Sequence, residues 1–267
     1  VDKTLSDQIT SLLKKHGVHV YLNERVEAFQ GDDQNDKVII QTDKTSHEAD
    51  LAIVSTGFMA NTDLLRGQVD MDRHGAILIN DSLQTSNPDV YAAGDACISH
   101  FNPAHNDAYI PLATNAVRQG ALAGKNIFGE VQKYMGTQAT SAMELFGYTL
   151  ASSGLTVAGA KKEGLNAASV VYKGNYRPSY MPTTDMLTIV LVYDRSNRRI
   201  LGAQLYSKHE VAQSANTISV CIQNNNTIDD LAFVDMLFQP HYDEPFNYLN
   251  LVAQLAIEQE RQAQKVK

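Results

Sequence analysis

Leu5, Ile9, Leu12 and Leu13 recur at the spacing of one helical face, and Lys14, Lys15 and His16 crowd the last turn, where cations meet the negative end of the helix dipole. Gly17 supplies a left-handed stop. Val18, Val20 and Leu22 then alternate as a strand, and 37–42 reads as a second one. Residues 51–54 are all apolar between Asp50 and Gly57, the pattern of a strand buried on both faces of a layered sheet. The stretch to about residue 59 therefore reads as the later part of an α/β unit.

Another apolar run covers 75–80, a polar segment follows to Asn87, and Pro88-Asp89 marks a turn before a strand at 90–93 that stops at Gly94-Asp95. Beyond a loop rich in Asn, His and Pro, Pro111 suits a helix start, and Leu112, Ala116, Gly120, Ala123 and Ile127 trace one face of the helix it opens. After the glycine-rich and polar stretch 129–140 the pattern changes to longer strands, which places a domain boundary there. Runs at 187–193 and 200–206 flank Asp194-Arg195-Ser196-Asn197 and predict an antiparallel hairpin. Val211, Ala215, Ile218 and Ile222 mark a helix stopped by Asn224-Asn225-Asn226. Thr227 caps a short helix through Leu231, and 249–264 reads as a terminal helix. No internal repeat appears.

Composition narrows the class. With 267 residues, 43% apolar and 19% charged, the chain has room for roughly two globular domains. No apolar run approaches the ~20 residues that span a bilayer. The net charge of −8 and the scattered lysines and arginines argue against a nucleic-acid partner. Cys97 and Cys221 stand far apart, with neither a CxxC pair nor Cys/His ligand spacing. This fits a reducing, cytoplasmic setting without disulfides or a metal site. The chain starts at Val1 in an acidic helix entry without a signal segment, and is read as a fragment.

Gly94-Asp95 is the first chemical candidate. A glycine at a strand tip lets a ligand approach the backbone, and the carboxylate beside it can accept hydrogen bonds from sugar or polyol hydroxyls. A plain turn with a capping aspartate explains the same two residues. Thr56-Gly57 after the 51–54 run reads by itself as a strand-ending turn. A helix starting near Pro111 aims free N–H groups and the positive end of its dipole at whatever precedes it. The aromatic segment 238–250 contains His241 beside Tyr242, as core or interface residues or, for His241, as an acid/base group.

The sequence Leu83-Gln84-Thr85-Ser86-Asn87-Pro88-Asp89-Val90-Tyr91-Ala92-Ala93-Gly94-Asp95-Ala96 resembles the second flavin-binding motif of the pyridine nucleotide-disulfide oxidoreductase family. The likeness continues through Ile110-Pro111-Leu112-Ala113-Thr114-Asn115-Ala116-Val117-Arg118-Gln119-Gly120 and Phe238-Gln239-Pro240-His241-Tyr242-Asp243-Glu244-Pro245-Phe246-Asn247-Tyr248-Leu249-Asn250. These stretches look like the NADH oxidase and NADH peroxidase branch, and 136–138, 152–156 and 200–205 agree.

The resemblance implies an α/β plus α+β fold: partial Rossmann-like FAD- and NAD(P)-binding domains followed by a C-terminal dimerisation domain with an antiparallel sheet and helices. Residues 1–59 would end the NADH domain, 60–135 would be the returning half of the FAD domain, and 136–267 the dimerisation domain. Gly94 and Asp95 would meet the ribityl chain of FAD, and Leu112, Ala113 and Thr114 would present backbone groups to the flavin pyrimidine edge. Thr56 and Gly57 would lie close to the dinucleotide. His241 and Tyr242 would shape the oxygen or peroxide pocket of the other subunit of a homodimer. In the full-length enzyme, electrons would pass from NADH through FAD to oxygen or hydrogen peroxide. The family's Gly-x-Gly-x-x-Gly loop, its redox cysteine and its second glycine motif are absent from these residues. The isolated chain is therefore expected to lack FAD and to be inactive. A coenzyme A disulfide reductase-like enzyme and a cofactor-free dimerisation or interaction module are the alternatives.

Overall fold

The amphipathic opening segment forms helix α1 (Lys3–Lys15) in the computed structural model of the protein, which describes residues 1–32, 36–129 and 132–265. The chain divides into a smaller unit, Gln8–Phe58, and a larger one, Val1–Asp7 with Met59–Lys267.

In the smaller unit, β1 (Val26–Asp32), β2 (Lys37–Thr42) and β3 (Ser46–Ala49) form an antiparallel meander in the order β1-β2-β3. Glu24 accepts from Thr42 Oγ1 at 2.7 Å and lies 2.8 Å from His47 Nε2. Those contacts, the Thr42 hydroxyl first, lower its carboxyl pKa. Two sequence expectations fail here. Residues 18–22 are not a strand, and Leu22 is 67% exposed; residues 51–54 leave β3 as irregular chain, with Ile53 83% exposed. A strand exists only where a neighbour answers its N–H and C=O groups, and among the described residues nothing pairs with either run.

The larger unit opens with irregular chain that includes 3-10 turns at Asp63–Leu65 and Gly94–Ala96, and a small ribbon, β4 (Ser99–Phe101) with β5 (Asn106–Ala108). The strand expected at 90–93 appears only as a bridge between Gln84 and Tyr91. Val69, Ile77, Ala92 and Cys97 form the local core, and Ile77 bridges Cys97 in parallel. Helix α2 (Ala113–Asn126) follows, close to the expected start.

The rest is an α+β body. Strands β6 (Ser141–Leu145), β7 (Tyr148–Gly154), β8 (Ala167–Asn175), β9 (Met186–Asp194) and β10 (Ile200–Ser207) form an antiparallel sheet in the order β6-β7-β10-β9-β8. Helix α3 (Val157–Lys162) links β7 to β8. The predicted hairpin is β9–β10, and both strands are buried almost throughout. Helices α4 (Ala212–Gln223), α5 (Ile228–Phe233) and α6 (Tyr248–Lys265) cover the sheet, with Val211, Ala215, Ile218 and Ile222 meeting Leu249, Val252 and Ala256 in one core with Ile189, Leu191 and Leu205. Thr227 caps α5 as expected, in a reciprocal box with Asp230. Asn102 donates to Gln223 Oε1 at 3.0 Å and Arg199 to the Pro103 carbonyl at 2.9 Å, which ties the α+β body to the chain before α2.

Candidate functional site

Gly94 adopts φ +73°, in the left-handed region that L side chains rarely enter. A Cβ added there would stand 3.1 Å from the Ala116 Cβ, so the turn lies tightly on the second turn of α2. The Gly94 N–H donates to Gln119 Oε1 at 2.7 Å, and the other end of that fully buried amide donates to Ser99 Oγ at 2.9 Å. Cys97 Sγ sits 3.4 Å from the Gly94 carbonyl and 3.6 Å from Gln119 Oε1. Burial, with the Asp95 charge second, pushes its thiol up to about 12, so Cys97 is a packed apolar group rather than a thiolate.

Asp95 stands exposed on this fixed turn. Its backbone carbonyl accepts from Tyr109 Oη at 3.0 Å, and its carboxylate has no hydrogen-bond partner among the described residues.

Leu112 is the extended residue before α2; its carbonyl accepts from the N–H groups of Asn115 and Ala116 at 2.9 and 3.0 Å, and no side chain caps the helix. The N–H groups of Leu112, Ala113 and Thr114 have no acceptor among the described residues, and Ala113 and Thr114 are exposed. Asn115 holds this end in place: it donates to the Ile110 carbonyl at 3.1 Å and accepts from Arg118 at 2.8 Å. The structure thus brings Gly94, Asp95 and residues 112–114 together as one carboxylate, a close backbone approach and a row of unanswered donors at a positive dipole end. These features fit the polyol and electron-rich heterocycle of a flavin. Gly94 provides the cradle, since any side chain there would meet Ala116.

Thr56 and Gly57 belong to the smaller unit, exposed in irregular chain, with Gly57 at φ +105°. His241 and Tyr242 lie exposed between α5 and α6. The Gln239 carbonyl accepts from the N–H groups of Tyr242 and Asp243 at 2.8 and 3.0 Å, which makes a turn. The Gln239 side chain contacts His241 twice, at the backbone N–H (2.7 Å) and at ring Nδ1 (3.1 Å). Arg177 donates to the His241 carbonyl at 3.0 Å and to the Thr183 carbonyl at 2.6 Å. Asp243 is buried and accepts from Asn247 Nδ2 and, at 2.8 Å, from the Glu244 N–H; burial raises its carboxyl pKa above the ordinary value. Among the described residues no hydrogen bond or ion pair joins this turn to the Gly94 cluster. A cleft of about 440 Å³ beside α2, walled by Arg118, Leu122, Tyr134, Met135 and Val220, contains none of the expected site residues.

Sequence reasoning passed over Gln119, Gln239 and Arg177 as functional groups. Gln119 and Gln239 stand inside the motifs it quoted, but which polar side chain of a motif turns inward is decided by packing. Arg177 carries no local signal at all.

A family model described as pyridine nucleotide-disulphide oxidoreductase matches residues 1–120, and the dimerisation domain of the same family matches 140–249. An NADH oxidase of Enterococcus faecalis is 47% identical over 258 residues, covering 97% of this chain and 58% of that protein. The solved structure of a water-forming NADH oxidase from Lactobacillus brevis bound to NADH superposes with a TM-score of 0.96 at 53% identity, over 98% of this chain and 58% of the other. A CoA-dependent NAD(P)H sulfur oxidoreductase of Pyrococcus abyssi is 31% identical over 95% of this chain and 56% of its own length. The chain thus spans somewhat over half the length of these relatives.

Proposed function

The chain belongs to the pyridine nucleotide-disulphide oxidoreductase family, and from that premise we propose that it is the C-terminal part of an FAD-dependent NADH oxidase or peroxidase. Residues 1–59 are assigned to the end of the NADH domain, 60–135 to the returning half of the FAD domain and 136–267 to the dimerisation domain. The division after Phe58 and the dimerisation-domain match over 140–249 support that assignment. The observation that carries the proposal is the Gly94-Asp95 turn packed on α2, with an unpartnered carboxylate and three free N–H groups.

Bound FAD would supply two-electron transfer from NADH to oxygen or peroxide. The chain's own residues bind and orient. Asp95 accepts hydrogen bonds from ribityl hydroxyls, and Gly94 keeps the backbone low enough for that approach. The N–H groups of Leu112, Ala113 and Thr114, with the α2 dipole behind them, stabilise negative charge at the pyrimidine edge. Thr56 and Gly57 present bare backbone to the dinucleotide. His241 and Tyr242 supply polar groups at the oxygen or peroxide pocket of a partner subunit in a homodimer. Two free cysteines suit a cytoplasmic setting.

In the complete enzyme, NADH oxidation should consume oxygen or peroxide and cease when the flavin is stripped; oxidation that persists in flavin-free protein would contradict the assignment. A second reading is reduction of coenzyme A disulfide, supported by the likeness to the CoA-dependent sulfur oxidoreductase of Pyrococcus abyssi. NADH consumption that requires coenzyme A disulfide, with neither oxygen nor peroxide consumed, would select it.

A further inference from the structure

The side-chain amide of Gln239 settles a question that histidine geometry normally leaves open. A backbone N–H can only donate, so the Gln239 atom 2.7 Å from the His241 N–H must be the carbonyl oxygen Oε1. The atom 3.1 Å from His241 Nδ1 is then the amide nitrogen Nε2, which carries only protons. Two donors cannot face each other, so Nδ1 of the neutral ring must be the bare, accepting nitrogen, and the ring proton resides on Nε2. Arg177 fixes the remaining polar group of the residue, its carbonyl, at 3.0 Å. His241 is thus exposed yet restrained at its N–H, its C=O and one ring nitrogen, and among the described residues Nε2 has no partner.

We propose that Gln239 is a positioning residue that locks neutral His241 as the Nε2–H tautomer, so that the ring presents a hydrogen-bond donor to an acceptor oxygen of the bound oxidant. This rests on the assignment of the 238–250 turn to the oxidant pocket. The chemical class follows from the donor: an oxygen atom with a lone pair, as in a hydroperoxide, and not a group that must give a proton to the ring. Such a donor strengthens its bond as negative charge builds on that oxygen.

The test is nitrogen NMR of the chain labelled with 15N-histidine. It is recorded in alkaline buffer, with His241→Gln identifying the signal. Wild type should show the protonated, pyrrole-type nitrogen at Nε2. Gln239→Glu keeps an acceptor for the His241 N–H but replaces the amide donor by a carboxylate, and should move the ring proton to Nδ1. Gln239→Ala should leave a mixture. A wild-type proton on Nδ1, or spectra that Gln239→Glu leaves unchanged, would overturn the proposal. The assignment of the turn is read separately: in the complete enzyme His241→Gln should lower kcat for oxygen or peroxide. If kcat is unchanged while the tautomer follows Gln239, the lock exists and the pocket assignment fails.

Discussion

Asp243 shows how burial turns one carboxyl into a pH sensor of stability. It is 3% exposed, and desolvation raises its pKa above the ordinary 3.8. The folded chain therefore binds this proton more tightly than the unfolded chain, and the associated stability is fully present below the unfolded value and lost as pH rises through the folded one. Asp243→Asn should flatten that decline, so that wild-type and variant urea midpoints, measured from about pH 4 to neutrality, converge at the acid end and separate or cross above it. Parallel curves would contradict the shift. Cys97 makes the complementary case. With its thiol held near 12 and its side chain 2% exposed, it should resist iodoacetamide in the folded protein and react only on unfolding, as mass spectrometry of the labelled peptide would show. The sequence showed no ligand or redox spacing around Cys97. It did not show Gln119, whose amide joins Gly94 to Ser99, because a glutamine on a helix has no intrinsic preference for facing inward.

At the level of elements, the helices were the most legible part. α1, α4 and α6 follow from apolar spacing and α5 from its cap, and the β9–β10 hairpin follows from two apolar runs around a polar turn; α2 is a helix as expected, but it buries Asn115, Gln119, Ala123 and Asn126, while Gly120 and Ile127 of the expected apolar face are exposed. The strands that sequence reasoning missed, β3 and β8 among them, are polar or mixed and are held by pairing: β3 (Ser-His-Glu-Ala) exists because β2 answers its backbone. The strands that it expected and the structure lacks, at 18–22 and 51–54, are the converse, with apolar sequence but no partner. Pairing also makes demands on single residues. Gly154 takes φ +74° where β7 meets β10, and a Cβ there would run into the Leu201 carbonyl and the Ile222 side chain. Gly154→Ala should therefore destabilise the chain by about 2–3 kcal/mol or prevent folding, from strain and overpacking together. Thermal denaturation checks this, and an unchanged midpoint would show that the strands separate easily.

Across the whole molecule, two groups of exposed apolar side chains bear on assembly. One is the exposed run at 51–59; the other includes Phe233, Leu237, Phe238, Tyr242 and Phe246, all within the span matched by the dimerisation domain. Surface of this second kind is what the proposed homodimer would cover. Light scattering at micromolar concentration should give twice the chain mass, and a monomer would count against the assigned dimer. The family was legible in the sequence because the Gly-Asp turn and the Pro-led helix stand in long, specific motifs. The close packing of Gly94 on Ala116 was not, since it depends on how the turn meets α2. The most direct test of the flavin assignment is Asp95→Ala in the complete enzyme, with bound FAD and NADH affinity both measured. The account predicts a large loss of FAD retention with NADH affinity nearly unchanged in the flavin-loaded fraction; equal losses in both would mean that Asp95 holds the fold and not the cofactor.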